Sequence, residues 1–319
     1  MTKLHRIIRE SFPVRFLEDK SKKIILPGFR GVPLFDVIKF FISQLRKSSL
    51  TERASAISYN FIMAIPPTCL FLFTLLPNLP FVKKKIIKVQ LHSLITDIIP
   101  AKDYNKNLIK FVDGFLDDAR IGLLSFGFIL LIYFASNGMM GIMRTFDKNY
   151  LGFQKRTELQ KRWTAIKLTL INIGLLFSCI ILLITRGAML KWLGIQNLVL
   201  LKIILLIKWA LIISLVFYSI AFIYKYAPSV HKKWKIASPG SLLATTLSLL
   251  ATIGFSLFVN NFGKYNALYG SIGTVIVIMI IIYINSLVLL IGYELNVSIH
   301  SLQIMAEERK IQEAEKSTT

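Results

Sequence analysis

The side chains that could carry out acid–base or metal chemistry are few and scattered in this sequence. The four histidines are His5, His92, His231 and His300, and they lie in four separate segments. A metal-dependent hydrolase or nuclease needs His, Cys and carboxylate ligands brought together at one site. Neither a metal-ligand motif nor a nucleophile elbow nor a phosphate-binding glycine loop occurs in the chain. The sequence therefore predicts a non-enzymatic protein with no catalytic residue, metal or cofactor.

Polar side chains within or beside apolar segments are better candidates for a functional role. Asn137, Arg144, Asn285 and Glu294 occupy such positions. A polar or ionisable group at membrane depth is costly without a partner, so each is either functional or binds helices together. Both interpretations stay open for the asparagines at this stage.

Glu294 is predicted to form an ion pair, because it directly follows a charge-free run where hydration decreases. An unpaired carboxylate there would be costly or would take up a proton. Arg144 is the first choice of partner, since a guanidinium can hold a carboxylate in two parallel hydrogen bonds. The other cations predicted on the same side are Lys167, Lys225 and Arg53. A structural ion pair is favoured over a transport role.

Long apolar segments are the elements that must position these side chains. Five runs contain no Asp, Glu, Lys or Arg: Ala54–Val82, Ile121–Met143, Leu168–Thr185, Ile236–Gly263 and Tyr265–Tyr293. A sixth, Leu198–Tyr224, is apolar except for Lys202 and Lys208. About 20 apolar residues cross the hydrocarbon core as a helix. The sequence therefore predicts an all-α membrane bundle with six transmembrane helices.

The distribution of positive charge predicts the orientation of the bundle. The chain is 54% hydrophobic and carries a net charge of +22. With six spans, 26 Lys and Arg residues fall on the side of the termini and 11 on the other side. The positive-inside rule then places both termini in the cytoplasm. Anionic lipid of the inner leaflet is the expected partner of this basic surface, and nucleic acid is not expected.

Three regions are predicted along the chain. Residues 1–53 form a cytoplasmic segment with an amphipathic helix that begins at Pro33 and either lies on the membrane or packs on cytoplasmic loops. Residues 54–299 form the transmembrane domain, which includes a helical outer loop over 83–120. Residues 300–319 form a polar cytoplasmic tail. The sequence leaves the oligomeric state open, a homo-oligomer included.

Two adjacent prolines, Pro66 and Pro67, lie within the first span. Proline lacks an amide hydrogen and its ring clashes with the preceding turn, so the pair should kink or break the helix, and a break is the prediction. Broken helices line binding sites in transporters, but many membrane prolines are only packing kinks. A functional break and a packing kink are both kept as interpretations.

Small residues recur every four positions along the fifth span. The series runs from Gly240 through Ala244, Ser248 and Thr252 to Ser256. Such a stripe lets another membrane helix approach closely. We therefore expect this face to pack against a neighbouring helix.

Five sequence blocks occur in an order that resembles the YihY/virulence factor BrkB family. They are residues 136–150, 226–228, 237–240, 261–273 and 293–296. The resemblance covers roughly residues 35–300. Span one, from Arg53 through Tyr59 to Pro66, is also similar to the family's first helix. Two positions depart from the usual pattern: Tyr293 stands where alanine is common, and Pro67 adds a second proline where a single one is commoner.

This resemblance implies a six-helix protein of the bacterial inner membrane. Members of the family have been called virulence or serum-resistance factors, and an old name makes some of them a ribonuclease. The residues give the nuclease interpretation no support. The function predicted is a transporter or lipid-handling permease, and the alternative is a structural or envelope-assembly protein without transport activity.

Overall fold

The computed structural model describes residues 20–22, 24–75, 92, 109–110, 113–114, 121–147, 153, 156–184, 198–230, 233–261 and 271–318. Within these ranges the main elements are helices, as the sequence predicts. In chain order they are α1 (Leu34–Lys47), α2 (Leu50–Leu75), α3 (Ile121–Phe146), α4 (Glu158–Ile184), α5 (Leu198–Tyr226), α6 (Pro239–Asn261) and α7 (Ser271–Thr318).

Among the described residues, five segments are long and apolar enough to cross a membrane. They are Leu50–Phe71, Ser125–Phe146, Lys202–Tyr226, Pro239–Phe258 and Val275–Glu315. The third predicted span, from Leu168, falls in α4 and is not among these five. The first ten residues of α4 carry Glu158, Lys161, Arg162 and Lys167, so only its later part is charge-free. The predicted helical outer loop, 83–120, lies outside the described residues except at a few positions.

Helices α2 to α7 form a closed ring. Each of them contacts the next one in the chain, and α7 also contacts α2. Large apolar side chains cover the outside of the ring, including Leu206, Leu250, Ile253 and Leu257, all more than half exposed. In a soluble protein such a surface would aggregate, but lipid tails cover it in a membrane. The protein is therefore a membrane-embedded helical bundle.

Helix α1 packs beside the ring on α7. Its Val37 is fully buried in a small cluster with Phe29, Val32 and Ile299. Ile38 and Ile42, on another face of the helix, remain 44% exposed. One face of α1 therefore packs on helix α7, and contact of its other face with the membrane stays a prediction. Ile38 and Ile42 therefore lie on the exposed side of α1.

Tight packing is concentrated at one end of the ring, where α2 begins, α3 and α5 end, and α6 begins. We call it the basic end; it carries Arg53, Arg144, Lys225 and Lys235. Its buried cluster includes Ala54, Met143, Phe146, Tyr224 and Tyr293. This end is the one that the charge distribution predicts to face the cytoplasm.

The predicted break at Pro66 and Pro67 is wrong, because α2 continues as one helix from Leu50 to Leu75. A proline removes one hydrogen bond and clashes locally, but the flanking turns of a long membrane helix can hold the helical path. Just after the pair, the Thr68 hydroxyl donates to the Ala64 carbonyl at 2.6 Å. Pro66 is exposed on the outside of the ring and Pro67 is buried. The functional interpretation of the pair therefore loses its main support.

Candidate functional site: a central cavity above a closed basic end

A cavity of about 540 Å³ lies inside the helix ring. Every ring helix contributes to its wall, from Ile57 and Ile65 on α2 to Leu289 on α7. Most of the lining side chains are aliphatic. The polar ones are Asn172, Ser219, Ser248, Asn285 and Ser286. A ligand in this cavity would meet an apolar wall with a few amide and hydroxyl groups.

The polar groups in the cavity form two similar pairs. Asn172 on α4 accepts a hydrogen bond from the Ser219 hydroxyl on α5. Asn285 on α7 accepts one from the Ser248 hydroxyl on α6. Each asparagine also donates from Nδ2 to its own helix at 2.9 Å, Asn172 to the Leu168 carbonyl and Asn285 to that of Ile281. An amide nitrogen carries two N–H groups, so each pair has a further donor beyond the one used within its helix.

An aromatic layer closes the cavity toward the basic end. The rings of Phe146 on α3 and Tyr293 on α7 stack with centroids 3.7 Å apart and planes within 1° of parallel. The Tyr293 hydroxyl donates to the Phe146 carbonyl at 2.7 Å, and the Tyr224 hydroxyl donates to the Leu289 carbonyl at 2.5 Å. Trp234 also packs on Tyr293, with the ring centroids 5.7 Å apart. These four side chains join α3, α5, α7 and the segment before α6.

The layer also contains a buried ion pair. Glu294 is 0% exposed, and its Oε1 lies 2.5 Å from Nη1 of Arg53, which is 11% exposed. Nη2 of the same guanidinium donates to the Thr145 carbonyl at 2.8 Å. Arg53 begins the first span and Glu294 lies near the end of the last, so the pair joins α2 and α7 and ties both to the end of α3.

The prediction that Glu294 pairs with a cation from the same side is confirmed, but the choice of Arg144 is wrong. Arg144 lies near the end of α3 with its side chain exposed, whereas Arg53, one of the alternatives, holds the carboxylate. Residues 143 and 146 occupy the inner face of α3, so residue 144 points outward. Asn137, on the same helix, accepts a hydrogen bond from Arg162 on α4 at 2.5 Å. Asn137 therefore joins two helices and does not line the cavity.

Gly240 permits a very close contact between α6 and α7. A Cβ at Gly240 would lie 2.2 Å from the Gly292 carbonyl oxygen, and a Cβ at Gly292 would lie 2.6 Å from that of Gly240. One turn further on α7, Asn296 accepts from the Gly240 amide at 2.9 Å and donates to Ser238 at 2.9 Å. Ser238 also caps the first turn of α6 by accepting from the Ser241 amide.

The predicted packing stripe on α6 holds for its first half only. Gly240 and Ala244 are buried against α7, and Ser248 reaches Asn285. Thr252 and Ser256 are exposed on the outside of the ring. Ser248 also lines the central cavity, which therefore lies at the level where the buried stripe ends.

Arg156, which lies just before α4, caps the C-terminal end of α5. The Arg156 guanidinium donates to the carbonyls of Tyr226, Ala227 and Pro228 at 3.0–3.3 Å. The last carbonyls of a helix have no amide partner within the helix. The positive guanidinium of Arg156 is also favourable at the C-terminal end of α5, which is the negative end of the helix dipole. Burial lowers the pKa of Arg156, and Asp147 opposes the effect.

Several residues of the site were not singled out by sequence reasoning. Gly292, Tyr224 and Ser219 sit in segments that read only as apolar spans. Gly292 and Asn296 are four residues apart and so share one face of α7, and this spacing was the sequence signal for a close contact with another helix. Among the described residues, no group of three His, Cys, Asp or Glu side chains is placed to hold a metal ion.

Comparison with known proteins identifies the family. The family model described as virulence factor BrkB matches residues 41–318. The chain is 28% identical over 268 residues to YfkH of Bacillus subtilis (strain 168), a protein named as ribonuclease-like, covering 81% of this chain and 92% of YfkH. It is 25% identical over 273 residues to a UPF0761 membrane protein of Alkalilimnicola ehrlichii, covering 83% of this chain and 58% of that protein.

A second UPF0761 membrane protein, from Chromohalobacter salexigens, is 27% identical over 252 residues, which cover 76% of this chain and 58% of the relative. No solved structure matches the chain. The family match extends over most of the sequence, so the chain belongs to the virulence factor BrkB family.

Proposed function

We propose that this member of the BrkB family binds an amphipathic molecule in the central cavity and moves it, as a transporter or lipid-handling permease. One observation carries the proposal: a cavity of about 540 Å³ bounded by all six ring helices. Ligand sites typically have volumes of about 300–1,000 Å³ and a mostly apolar lining with a few placed polar groups. The aliphatic wall suits a hydrocarbon chain, and the two Asn–Ser pairs suit a polar group at one end.

The aromatic layer gives this cavity one closed side. Phe146, Tyr224 and Tyr293 belong to the basic end and close this side of the cavity by stacking and by hydrogen bonds to backbone carbonyls. A molecule would enter from the opposite end or between helices, and release at the basic end would require this layer to open. Alternating closure of two sides is the general behaviour expected of a transporter.

Lipid translocation in proteoliposomes tests the proposal. The probe is a phosphatidylethanolamine with a fluorescent nitrobenzoxadiazole headgroup, and dithionite quenches the copies that reach the outer leaflet. Val216→Trp fills the cavity from α5, and Ile213→Trp, on an exposed face of the same helix, is the matched control. We expect translocation by the native protein and by the control, and loss of it in Val216→Trp. Equal rates in all proteoliposomes and in protein-free vesicles would contradict the proposal.

The second candidate is a structural or envelope-assembly protein without transport activity. The packed basic end, joined by a buried ion pair and stacked rings, favours this alternative. A structural role predicts that the gene carrying Val216→Trp restores the phenotype of a deletion strain as well as the native gene does. Lipid and metabolite analysis of that strain distinguishes the two, because loss of a transporter changes the distribution of its substrate.

We propose that neither function is enzymatic. The ribonuclease-like name of YfkH would predict RNA cleavage by the purified protein. We expect no cleavage of transfer RNA precursors with magnesium or manganese present. Cleavage that persists after removal of contaminating nucleases would contradict this.

The proposed location is the bacterial inner membrane, with both termini and the basic end in the cytoplasm and anionic lipid bound there. Single cysteines replacing Lys106 and Lys155, in a chain with Cys69→Ser and Cys179→Ser, test the orientation. We expect an impermeant thiol reagent to label residue 106 from outside and residue 155 only after permeabilisation. Labelling of both from outside would overturn this topology.

A further inference from the structure

A second cavity, of about 160 Å³, lies at the basic end outside the helix ring. The loop over 24–33, the segment before α6 and the later part of α7 surround it, and Arg30, Trp234, Lys235 and His300 contribute to its wall. It lies beyond the aromatic layer, since Trp234 packs between Tyr293 and His300. It is therefore separate from the central cavity.

Two buried nitrogen atoms of this wall have no hydrogen-bond partner among the residues that the structure describes. They are Nε1 of Trp234, a residue only 3% exposed, and Nε2 of His300, which is 7% exposed. A buried polar atom without a partner is costly, and native proteins rarely leave one. Both side chains line this cavity, so a ligand bound there is a candidate partner for each nitrogen.

Both of these nitrogens are donors. An indole nitrogen only donates. Nη1 of Arg30 lies 3.5 Å from Nδ1 of His300, and a guanidinium has no acceptor atom, so Nδ1 must accept in this contact. In the neutral imidazole the proton then lies on Nε2. The missing partner is therefore an acceptor.

The charges around the cavity are suited to an anion. Arg30 and Lys235 both line it, and the positive end of the α6 dipole begins beside it at Pro239. The amide of Gly240 is already bonded to Asn296, so side chains would hold the ligand. Burial lowers the pKa of Arg30, and the nearby Glu307 carboxylate opposes this. An arginine remains charged at neutral pH in either case.

The loop that carries Arg30 is built to hold this position. Arg30 itself has a left-handed backbone with φ of 52°, and Gly28 and Gly31 on either side have φ of 93° and 84°. Phe29 and Val32 anchor the loop in the apolar cluster beside α7. The Arg30 side chain also donates to Gln303 on α7 at 3.0 Å. Its guanidinium is thus fixed at the edge of the cavity.

We propose that this cavity binds a phosphate group, either inorganic phosphate or the headgroup of an anionic phospholipid. Several donors approaching from different residues suit the oxygens of a tetrahedral anion. The volume admits one phosphate with a small substituent but not a nucleotide. A cation is disfavoured because two positive side chains line the wall. The site does not depend on the function proposed for the central cavity.

Two probes distinguish the sources of the phosphate group. The first is sodium phosphate, titrated against the melting temperature of the purified protein, with sodium chloride at equal ionic strength as reference. The second is phosphatidic acid, detected by native mass spectrometry, with diacylglycerol of the same chains as reference. Binding of phosphate identifies a soluble ligand. Binding of phosphatidic acid without phosphate identifies a lipid headgroup.

Three variants assign the binding to this cavity. Arg30→Gln removes the charge, and Trp234→Phe removes the indole donor while keeping an aromatic ring against Tyr293. Lys233→Gln is the matched control, since Lys233 is exposed on the same segment and its Nζ lies over the Tyr226 ring.

For whichever of the two probes the native protein binds, we expect at least tenfold weaker binding in Arg30→Gln and Trp234→Phe. Binding should be unchanged in Lys233→Gln. If Arg30→Gln does not fold, Trp234→Phe alone decides. Binding of neither probe, or equal losses in Trp234→Phe and Lys233→Gln, would overturn the proposal.

Discussion

The basic end and the central cavity use polar side chains in opposite ways. At the basic end, Tyr293 and Glu294 are fully buried and each bonds to an atom of another helix. At the cavity, Asn172 and Asn285 also bond between helices, but they are only partly buried and face open space. Polar groups close the bundle in one region and line a void in the other.

This difference shows where membrane bundles derive their stability. Lipid tails are as apolar as leucine, so helices gain little from hiding apolar surface from lipid. Close backbone contacts, hydrogen bonds and ion pairs must supply the association energy, and within the part of the chain that the structure describes the closest of them lie at the basic end. The cavity region can then remain less well packed without loss of the fold. The following substitutions test this comparison, from the largest expected effect to the smallest.

Arg53→Met should destabilise the protein most, by about 3–5 kcal/mol in the free energy of unfolding. It leaves the Glu294 carboxylate buried without its cation and removes the contact with the Thr145 carbonyl. Unfolding in mixed micelles measures the effect. The double variant Arg53→Met with Glu294→Gln should be less destabilised than Arg53→Met alone, because no unpaired charge remains.

Arg144→Met is the control for this pair. Arg144 lies at the same end of the bundle but is exposed, so its loss should change the free energy of unfolding by no more than about 0.5 kcal/mol. A loss in Arg144→Met as large as that in Arg53→Met would contradict the assignment of the ion pair.

Gly292→Ala should have the next largest effect, about 1–3 kcal/mol of destabilisation. The added methyl group would lie 2.6 Å from the Gly240 carbonyl oxygen and 2.7 Å from Ala244 Cβ, where neither backbone can move freely. Gly254→Ala on α6 is the control, because nothing lies within 4 Å of its Cβ position. Thermal unfolding in detergent should show a lower midpoint for the first variant only. Equal midpoints would mean that α6 and α7 are not in close contact.

The fold could be predicted from the sequence because lipid imposes a simple rule on composition. A charge-free run of about 20 residues has few alternatives to a spanning helix. The start of α6 at Ser238 and Pro239 also followed from capping chemistry. The prediction at Pro66 failed because proline propensity is local, whereas the path of α2 is determined by its packing in the ring.

The site could be predicted only in part, because contacts between distant segments depend on helix rotation. Glu294 needed a cation, and that need was visible in the sequence. Its partner depended on which side of each helix faces inward: Arg53 faces inward, whereas Arg144 does not. The cavity and the aromatic layer were invisible for the same reason, since Tyr224 and Ser219 read only as parts of an apolar span.

Tyr293→Phe tests a single hydrogen bond within the packed region. The ring stack on Phe146 should persist, while the bond to the Phe146 carbonyl is lost. We expect about 1 kcal/mol of destabilisation. Tyr218→Phe, on a partly exposed ring of α5, should change the free energy of unfolding by less than about 0.5 kcal/mol. Equal effects of the two substitutions would argue against a closed aromatic layer.

Ser219→Ala should have the smallest effect and compares the two regions directly. It removes the donor to Asn172, but the cavity is large enough for a water molecule beside the Asn172 amide, and this water can replace the lost hydrogen bond. We expect about 0.5 kcal/mol of destabilisation, at the low end for one hydrogen bond. Ser241→Ala, the same substitution at a fully buried hydroxyl that bonds to the Ile236 carbonyl, should cost about twice as much. Equal costs in unfolding measurements would mean that water does not reach the Asn172 pair and that the cavity region resists substitution as strongly as the basic end.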